Sequence, residues 1–343
     1  MTLIPLQERL RLLIRLGDYL QERPEPLAAV MEKSRRHNPW FTLENQEDSL
    51  RAISGVFLRR EKLEAWLAPY ALEEVGTPKT VGLVMAGNLP LVGFHDWLCV
   101  FVSGHRAQVK LSDKDAYLLP HLTEVMASFD SRVSAYTDFV AQLRGFDAVI
   151  ATGSNNSARY FESYFGKYPH IIRKNRNAVG VLTGKESGEE INRLGKDIFQ
   201  YFGLGCRNVS KIFVPRDFAF DPFLERLHQD YQQLILNDKY RHNFDYNYAL
   251  YIINKVAFKM NGCLLLTEDR AIASRIAGLH FSYYDDIKEV ETEIRARKEE
   301  IQCVVAAPGL LHLETIPFGQ AQEPELWDYA DGVDTIAFLQ HLK

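Results

Sequence analysis

Apolar residues at the start of the chain recur with a helical period. Leu3, Leu6, Leu10, Leu13, Ile14 and Leu20 mark one face, interrupted by Glu8, Arg9, Arg11 and Arg15, and Pro24 and Pro26 stop the pattern. A second helical stretch is predicted from about Leu43 to Leu67, ending near Pro69. Between the two lies HNPWFT, residues 37–42, where Pro39 argues for a loop or a helix entry. Residues 1–75 therefore read as helical.

The pattern changes at Thr80. Thr80-Val-Gly-Leu-Val-Met-Ala is a short buried-strand run that leads into Gly87-Asn88-Leu89-Pro90. An apolar helix follows to Gly104, then a strand at Ala107–Leu111, a helix over 115–129, a short helix near Phe139–Leu143 and a strand at Ala148–Thr152. A helix with Ala158, Phe161 and Phe165 comes next, then a strand at Ala178–Leu182 and a helix from Glu189 to Phe202. Ser210–Pro215 reads as a strand, with others near Leu264–Thr267 and Val304–Ala306, and a tail with one last helix runs to Lys343. Strand alternating with helix is the rhythm of a parallel sheet with crossovers, an α/β fold.

Composition narrows the function. The 343 residues are 46% hydrophobic and 25% charged with a net charge of -5, ordinary for a globular protein long enough for two domains. Basic residues are scattered rather than gathered in a stripe, which argues against a nucleic-acid partner. Four cysteines without a CxxC pair argue against a disulfide framework or a zinc site, and point to a reducing, cytoplasmic compartment. The histidines show no metal-binding spacing, so no metal is expected. The longest apolar run, Leu89 to Ser103, contains His95 and Asp96 and is too short and polar to span a bilayer.

Four places carry chemistry. Cys206 follows Gly203 and Gly205, whose freedom suits a tight turn. Read as lying near a helix start, it is a nucleophilic thiolate; read blandly, it is a buried cysteine after a glycine turn. Asn88 closes a strand, where it is either an oxyanion donor or a helix N-cap with Pro90 in the first turn. Gly153 and Ser154 close another strand, either as a pyrophosphate seat or as a cap. Lys110 ends a third, as a cofactor contact or a solvated lysine, and Asp113-Lys114-Asp115 is a polar turn with no message of its own. Tyr246, Tyr248 and Tyr251 read as core or pocket wall.

Taken in order, Asn88-Leu-Pro-Leu, Val109-Lys110-Leu-Ser, Ala151-Thr-Gly-Ser154, Leu182-Thr-Gly-Lys185 and Gly203-Leu-Gly-Cys206 resemble the aldehyde dehydrogenase superfamily. Within it, FQYFGLGCRNVSKIFVP (199–215) and ELWDYADGVDTIAFL (325–339) are most similar to the LuxC-type fatty acyl-CoA reductases. The resemblance covers about residues 80–343, and more loosely the helical start. It implies an aldehyde-dehydrogenase-like fold: a helical region over 1–75 packed on the cofactor domain, a Rossmann-type dinucleotide-binding domain over 76–200, a catalytic cysteine domain over 201–315, and a tail over 316–343 returning to the core.

The same resemblance implies roles. Cys206 accepts the acyl group, and Asn88 joins the Cys206 backbone N–H in the oxyanion hole. Lys110 and Asp113 meet the adenosine ribose, while Gly153, Ser154, Thr183 and Gly184 line the dinucleotide. The cofactor implied is NADPH, with NADH possible; Asp113 disfavours a 2′-phosphate, and Lys114 or Arg106 compensates. Aldehyde-oxidising members carry a water-activating glutamate where this chain is matched to Val181, which favours thioester reduction. The implied substrate is a long-chain acyl-CoA or another acyl thioester, with an acyl-transferring protein partner and a homodimer also in view. Rival readings are a non-redox acyltransferase or thioesterase using Cys206, and an inactive nucleotide-binding homologue.

Overall fold

The computed structural model describes residues 3–72 and 77–342. The chain divides into two compact units, Met1–Lys174 with Glu325–Lys343, and Asn175–Pro324.

The first unit begins with helices α1 (Leu6–Glu22), α2 (Glu25–His37), α3 (Leu43–Ala52) and α4 (Arg60–Leu67). Pro24 and Pro26 do more than stop α1. Pro24 precedes α2 and Pro26 occupies its first turn, where a missing N–H costs nothing. Five strands follow: β1 (Thr80–Val84), β2 (Arg106–Lys110), β3 (Thr137–Phe139), β4 (Ala148–Thr152) and β5 (His170–Arg173). Helices α5 (Phe94–Val102), α6 (Leu118–Phe129) and α7 (Asn155–Phe165) connect them. All pairings are parallel, in the order β3-β2-β1-β4-β5. The chain thus winds outward from β1 in one direction and from β4 in the other, placing the switch point between their carboxyl ends.

No helix forms near 139–143: Phe139 closes β3, and the turn beyond it lays Leu143 against Gly82 of β1. Deep in this unit Arg173 Nη1 meets both carboxylate oxygens of Asp96 at 2.6 and 2.5 Å, and Nη2 donates to Thr335 at 3.1 Å. The pairing fastens β5 to α5 and to the tail.

The second unit has strands β6 (Asn177–Val181), β7 (Val209–Pro215), β8 (Phe258–Met260), β9 (Leu265–Glu268), β10 (Gly278–Tyr284) and β11 (Ile301–Ala306). Their order is β11-β6-β7-β10-β9-β8, with only β8 antiparallel. Helices α8 (Gly188–Phe199), α9 (Phe220–Tyr231), α10 (Asp238–Ile253) and α11 (Ile287–Ala296) complete it. β6 and α8, expected in the dinucleotide-binding domain, belong here because β6 pairs with β7 and β11. Tyr246, expected in core or pocket wall, is 61% exposed on α10.

The crossover from β9 to β10, residues 269–277, contains no helix and is short for a parallel connection. Side chains from the sheet and from Arg297 at the end of α11 satisfy its carbonyls. Lys211 Nζ donates to Asp269 at 2.6 Å, Arg297 to Arg270, and Ser210 to Ile272 at 2.7 Å, while His280 Nδ1 meets Ala271 at 3.0 Å. This accounts for polar residues inside a central strand. Burial pushes the Lys211 amine down to about 8.

The last helix, α12 (Thr335–Gln340), returns to the first unit, where Ile336 and Leu339 join the core. Trp66 Nε1 donates to Tyr329 Oη at 2.8 Å, and Tyr70 Oη donates to Asp334 at 2.7 Å. These bonds fix the tail on α4 and the segment after it.

Candidate active site

In the first unit, the carboxyl edge of the sheet gathers Asn88 after β1, Lys110 and Asp113 at the end of β2, and Gly153 with Ser154 after β4. Asn88 is half-buried in a bend and is not the N-cap of α5, which starts at Phe94 with Gly93 as its N-cap. Gly87 is required because a β-carbon would land on Ser112, so the loops after β1 and β2 are in close contact. Gly153 is required for a related reason: a β-carbon would strike Ser157 and Phe161, which hold α7 close to its strand. Ser154 Oγ caps α7 by accepting from Ser157 N at 3.2 Å, which leaves a ligand only the backbone of this turn.

Lys110 and Asp113 are exposed at the same edge. The β2 loop is braced from below: His37 Nε2 meets the Asp113 carbonyl at 2.6 Å, and Asn38 Nδ2 donates to the Lys114 carbonyl at 3.1 Å. The helical region thus supports the cofactor-side loop. Arg106 opens β2, at the opposite end from Lys110, and so cannot serve a phosphate at this edge; Lys114 remains, next to Asp113. The switch point, the tight β4–α7 turn and the exposed Lys110 and Asp113 at this edge are features a dinucleotide-binding edge would need.

The second unit carries Cys206. The residues before it take an unusual path, with φ of 54° at Tyr201, 59° at Phe202 and 73° at Gly203. Left-handed backbone at two aromatic residues is strained. Asn208, fully buried, fixes the turn at Gly205 and Cys206. Its Oδ1 accepts from Gly205 N at 2.7 Å, and its Nδ2 donates to the carbonyls of Asp197 at 3.0 Å and Gln200 at 2.9 Å. One amide therefore closes the end of α8 and pins the turn that presents the cysteine. The turn is held from a further side by Arg207 Nε, which donates to Ala321 O at 2.5 Å. Cys206 is half-buried, and it precedes β7 rather than a helix, so helix-dipole activation does not apply.

Burial separates the four cysteines, none of which is in a disulfide. Cys99 and Cys263 are fully buried, and desolvation pushes the first thiol well up and the second to about 12. Cys303 lies on strand β11. Cys206 alone sits in a partly accessible turn.

Thr183 and Gly184 are not brought to Cys206. They follow the carboxyl end of β6, whereas Cys206 precedes the amino end of the parallel β7, so the sheet separates them by the length of a strand. Their N–H groups are also occupied: Glu186 Oε1 accepts from Thr183 N at 2.6 Å, and Oε2 from Gly184 N at 3.0 Å. Val181 is likewise the wrong place to look for a water-activating group, being the buried last residue of β6. The last strand of the first sheet is β5, which closes at Arg173 and runs on through Lys174-Asn175-Arg176 without a carboxylate.

Among the described residues no cluster of histidine, cysteine and carboxylate could hold a metal ion, and no helix is long and apolar enough to cross a membrane.

No protein-family model matches this sequence, and no curated protein matches it. Solved structures do. An NAD-dependent aldehyde dehydrogenase from Sinorhizobium meliloti matches 88% of this chain and 70% of its own at 13% identity and a TM-score of 0.66. The indole-3-acetaldehyde dehydrogenase AldA of P. syringae, in complex with NAD+ and IAA, matches 90% and 74% at 14% identity and a TM-score of 0.65. An oxidoreductase from Marinobacter aquaeolei matches 95% and 80% at 11% identity and a TM-score of 0.64. The fold of this chain is aldehyde-dehydrogenase-like.

Asn208, Asp115 and Asp197 are the residues that sequence reasoning missed. Each acts on backbone groups, those of Asp115 and Asp197 far away in sequence and those of Asn208 in its own turn and the end of α8. The nearest sequence signal was Asn208 two residues after Cys206, which has no pattern of its own.

Proposed function

We propose that the protein reduces an acyl thioester, with long-chain acyl-CoA as the first candidate, to an aldehyde through an acyl intermediate on Cys206. The observation that carries this reading is the Cys206 turn: a half-buried thiol held by Asn208 on a strained backbone, in a chain with an aldehyde-dehydrogenase-like fold. In this reading the Cys206 thiolate attacks the acyl carbonyl. Asn88 and the Cys206 N–H donate to the oxyanion, a contribution of roughly 3 kcal/mol for one well-placed donor. The attack forms the carbon–sulfur bond to Cys206, and collapse of the tetrahedral adduct breaks the carbon–sulfur bond to CoA, releasing its thiolate, which takes up a proton. A reduced nicotinamide dinucleotide, when bound, would supply the hydride that takes the acyl group to the aldehyde level; the bond to the Cys206 sulfur then breaks, releasing the aldehyde and returning the thiolate. Lys110 and Asp113 hold its ribose, with Gly153 and Ser154 at the diphosphate. Lys110 and Lys114 flank Asp113, two cations to one carboxylate, which supports NADPH ahead of NADH. The chain leaves β5 through Arg173-Lys174-Asn175-Arg176 with no carboxylate of its own to activate water, and Glu162 of α7 is engaged in an ion pair with Lys174 at 3.1 Å, which supports reduction over aldehyde oxidation.

The test is acyl trapping. Palmitoyl-CoA without dinucleotide is expected to add one palmitoyl group to Cys206, seen by mass spectrometry, and none to Cys206→Ala. An adduct that turns over to free acid or to another acyl acceptor, with no dinucleotide bound, replaces this reading with the acyltransferase or thioesterase one.

A further inference from the structure

The loop after β1 contains a backbone conformation that its sequence resists. Leu91, buried at 5% exposure, has φ of 57°, a left-handed conformation unfavourable for a residue with a β-carbon. It lies three residues beyond Asn88. Something must hold the bend, and the structure shows what does. Leu91 N donates to Asp115 Oδ2 at 2.7 Å, and Asp115 is reached from the neighbouring loop after β2. Ser49 Oγ donates to the Pro90 carbonyl at 2.8 Å, steadying the loop from α3. Asp115 is itself buried at 7% exposure, and its second oxygen, Oδ1, has no partner. A buried carboxyl with one oxygen unsatisfied is costly, and nothing in the β2 loop requires it.

We propose that Asp115 is the positioning residue of the Asn88 loop: its carboxyl holds the left-handed bend at Leu91 and so joins the loop bearing Asn88 to the loop bearing Lys110 and Asp113. Its consequence for catalysis rests on the reading of Asn88 as oxyanion donor; the latch itself does not. The residue touches no reacting atom and acts through the backbone.

Burial also pushes the Asp115 carboxyl up to about 7, opposed by the Leu91 N–H. The charged groups nearby are Asp113 and Lys114 on its own turn and, on α2, His37, which meets the Asp113 carbonyl, and Lys33, which lies over Tyr117. Ionisation strengthens the single hydrogen bond to Leu91, but desolvation outweighs it: the buried carboxyl holds its proton more tightly than it would in water, so the latched loop is favoured at low pH and loosens as pH rises through about 7.

The experiment is amide hydrogen exchange of residues 86–93 in the full chain, for wild type, Asp115→Ala and Asp115→Asn, beside steady-state kinetics. Asp115→Ala is expected to speed exchange at Leu91 by about tenfold or more, whereas Asp115→Asn, which keeps an acceptor oxygen, stays within about threefold of wild type. In kinetics, Asp115→Ala is expected to lose about tenfold in kcat with little change in the dinucleotide KM. Asp115→Asn is expected to restore most of it while flattening the limb of the pH profile near 7. If Asp115→Ala folds poorly, the pH dependence of the Leu91 protection factor in wild type against Asp115→Asn decides: a protection that changes with pH in the first and not in the second supports the latch. Equal Leu91 protection in all three proteins at all pH values overturns it. A released loop in a protein with no reductase activity sinks the functional reading and leaves the latch standing.

Discussion

Asp115 and Asp197 are the same group placed in two different ways. Both are buried carboxyls lying in helix or loop segments beside a parallel sheet, one in each unit. Asp197 uses both oxygens, accepting from Gly319 N at 2.6 Å and Ala321 N at 2.9 Å, and its carboxyl is pushed up only to about 6. Asp115 uses one oxygen and is pushed up to about 7. Burial raises both, and the N–H donors that reach each carboxyl oppose it, two at Asp197 and one at Asp115. Asp197 is therefore a staple, closing the Pro317-Phe318-Gly319 turn of the tail onto α8. Asp115 is a poised contact that gives up stability to hold one strained residue.

The contrast can be broken most forcefully at Asp197. Replacing it with alanine strands two buried N–H groups and is expected to cost about 3–4 kcal/mol, measured as a drop in urea midpoint. A cost below about 1 kcal/mol contradicts the staple.

Asn208→Ala comes next. Losing the amide that holds Gly205 N and the end of α8 is expected to cost about 2–3 kcal/mol. It should also slow iodoacetamide labelling of Cys206 or make it heterogeneous, because the turn no longer has one conformation. Uniform labelling at the wild-type rate would show that the turn holds itself.

Asp115→Asn is the change whose effect depends on pH. The folded carboxyl binds its proton more tightly than the ordinary value of 3.8, so it favours folding at pH below about 4 and loses that advantage as pH rises to about 7. The variant lacks this term. Its stability relative to wild type is expected to rise by on the order of 3 kcal/mol between pH 4 and 8, read from urea midpoints. Parallel stability curves would show that Asp115 does not titrate in this range.

The first sheet was legible where strands are apolar runs, as at Thr80–Val84 and Ala148–Thr152. β5, His-Ile-Ile-Arg, escaped notice because only two apolar residues stand between polar ends, and its Arg173 is buried through an ion pair with a residue on α5. The carboxyl-edge positions of Asn88, Lys110, Asp113, Gly153 and Ser154 followed from local order, since each ends a strand of the first sheet or follows one within four residues. Thr183 and Gly184 end a strand as convincingly, yet β6 belongs to the other sheet, and sheet membership is a non-local fact that no short motif encodes. For the same reason Val181 was matched to the wrong strand end. Asp115 looked like one more polar turn residue because its partner, Leu91, lies on another loop.

The central claim is covalent acyl reduction at Cys206, and one assay addresses it most directly. Purified protein is mixed with palmitoyl-CoA and NADPH, then NADH, while nicotinamide absorbance is followed and aldehyde is trapped. Cofactor oxidation matched by aldehyde is expected in wild type, and neither in Cys206→Ala. Aldehyde formed at an undiminished rate by Cys206→Ala would contradict the claim.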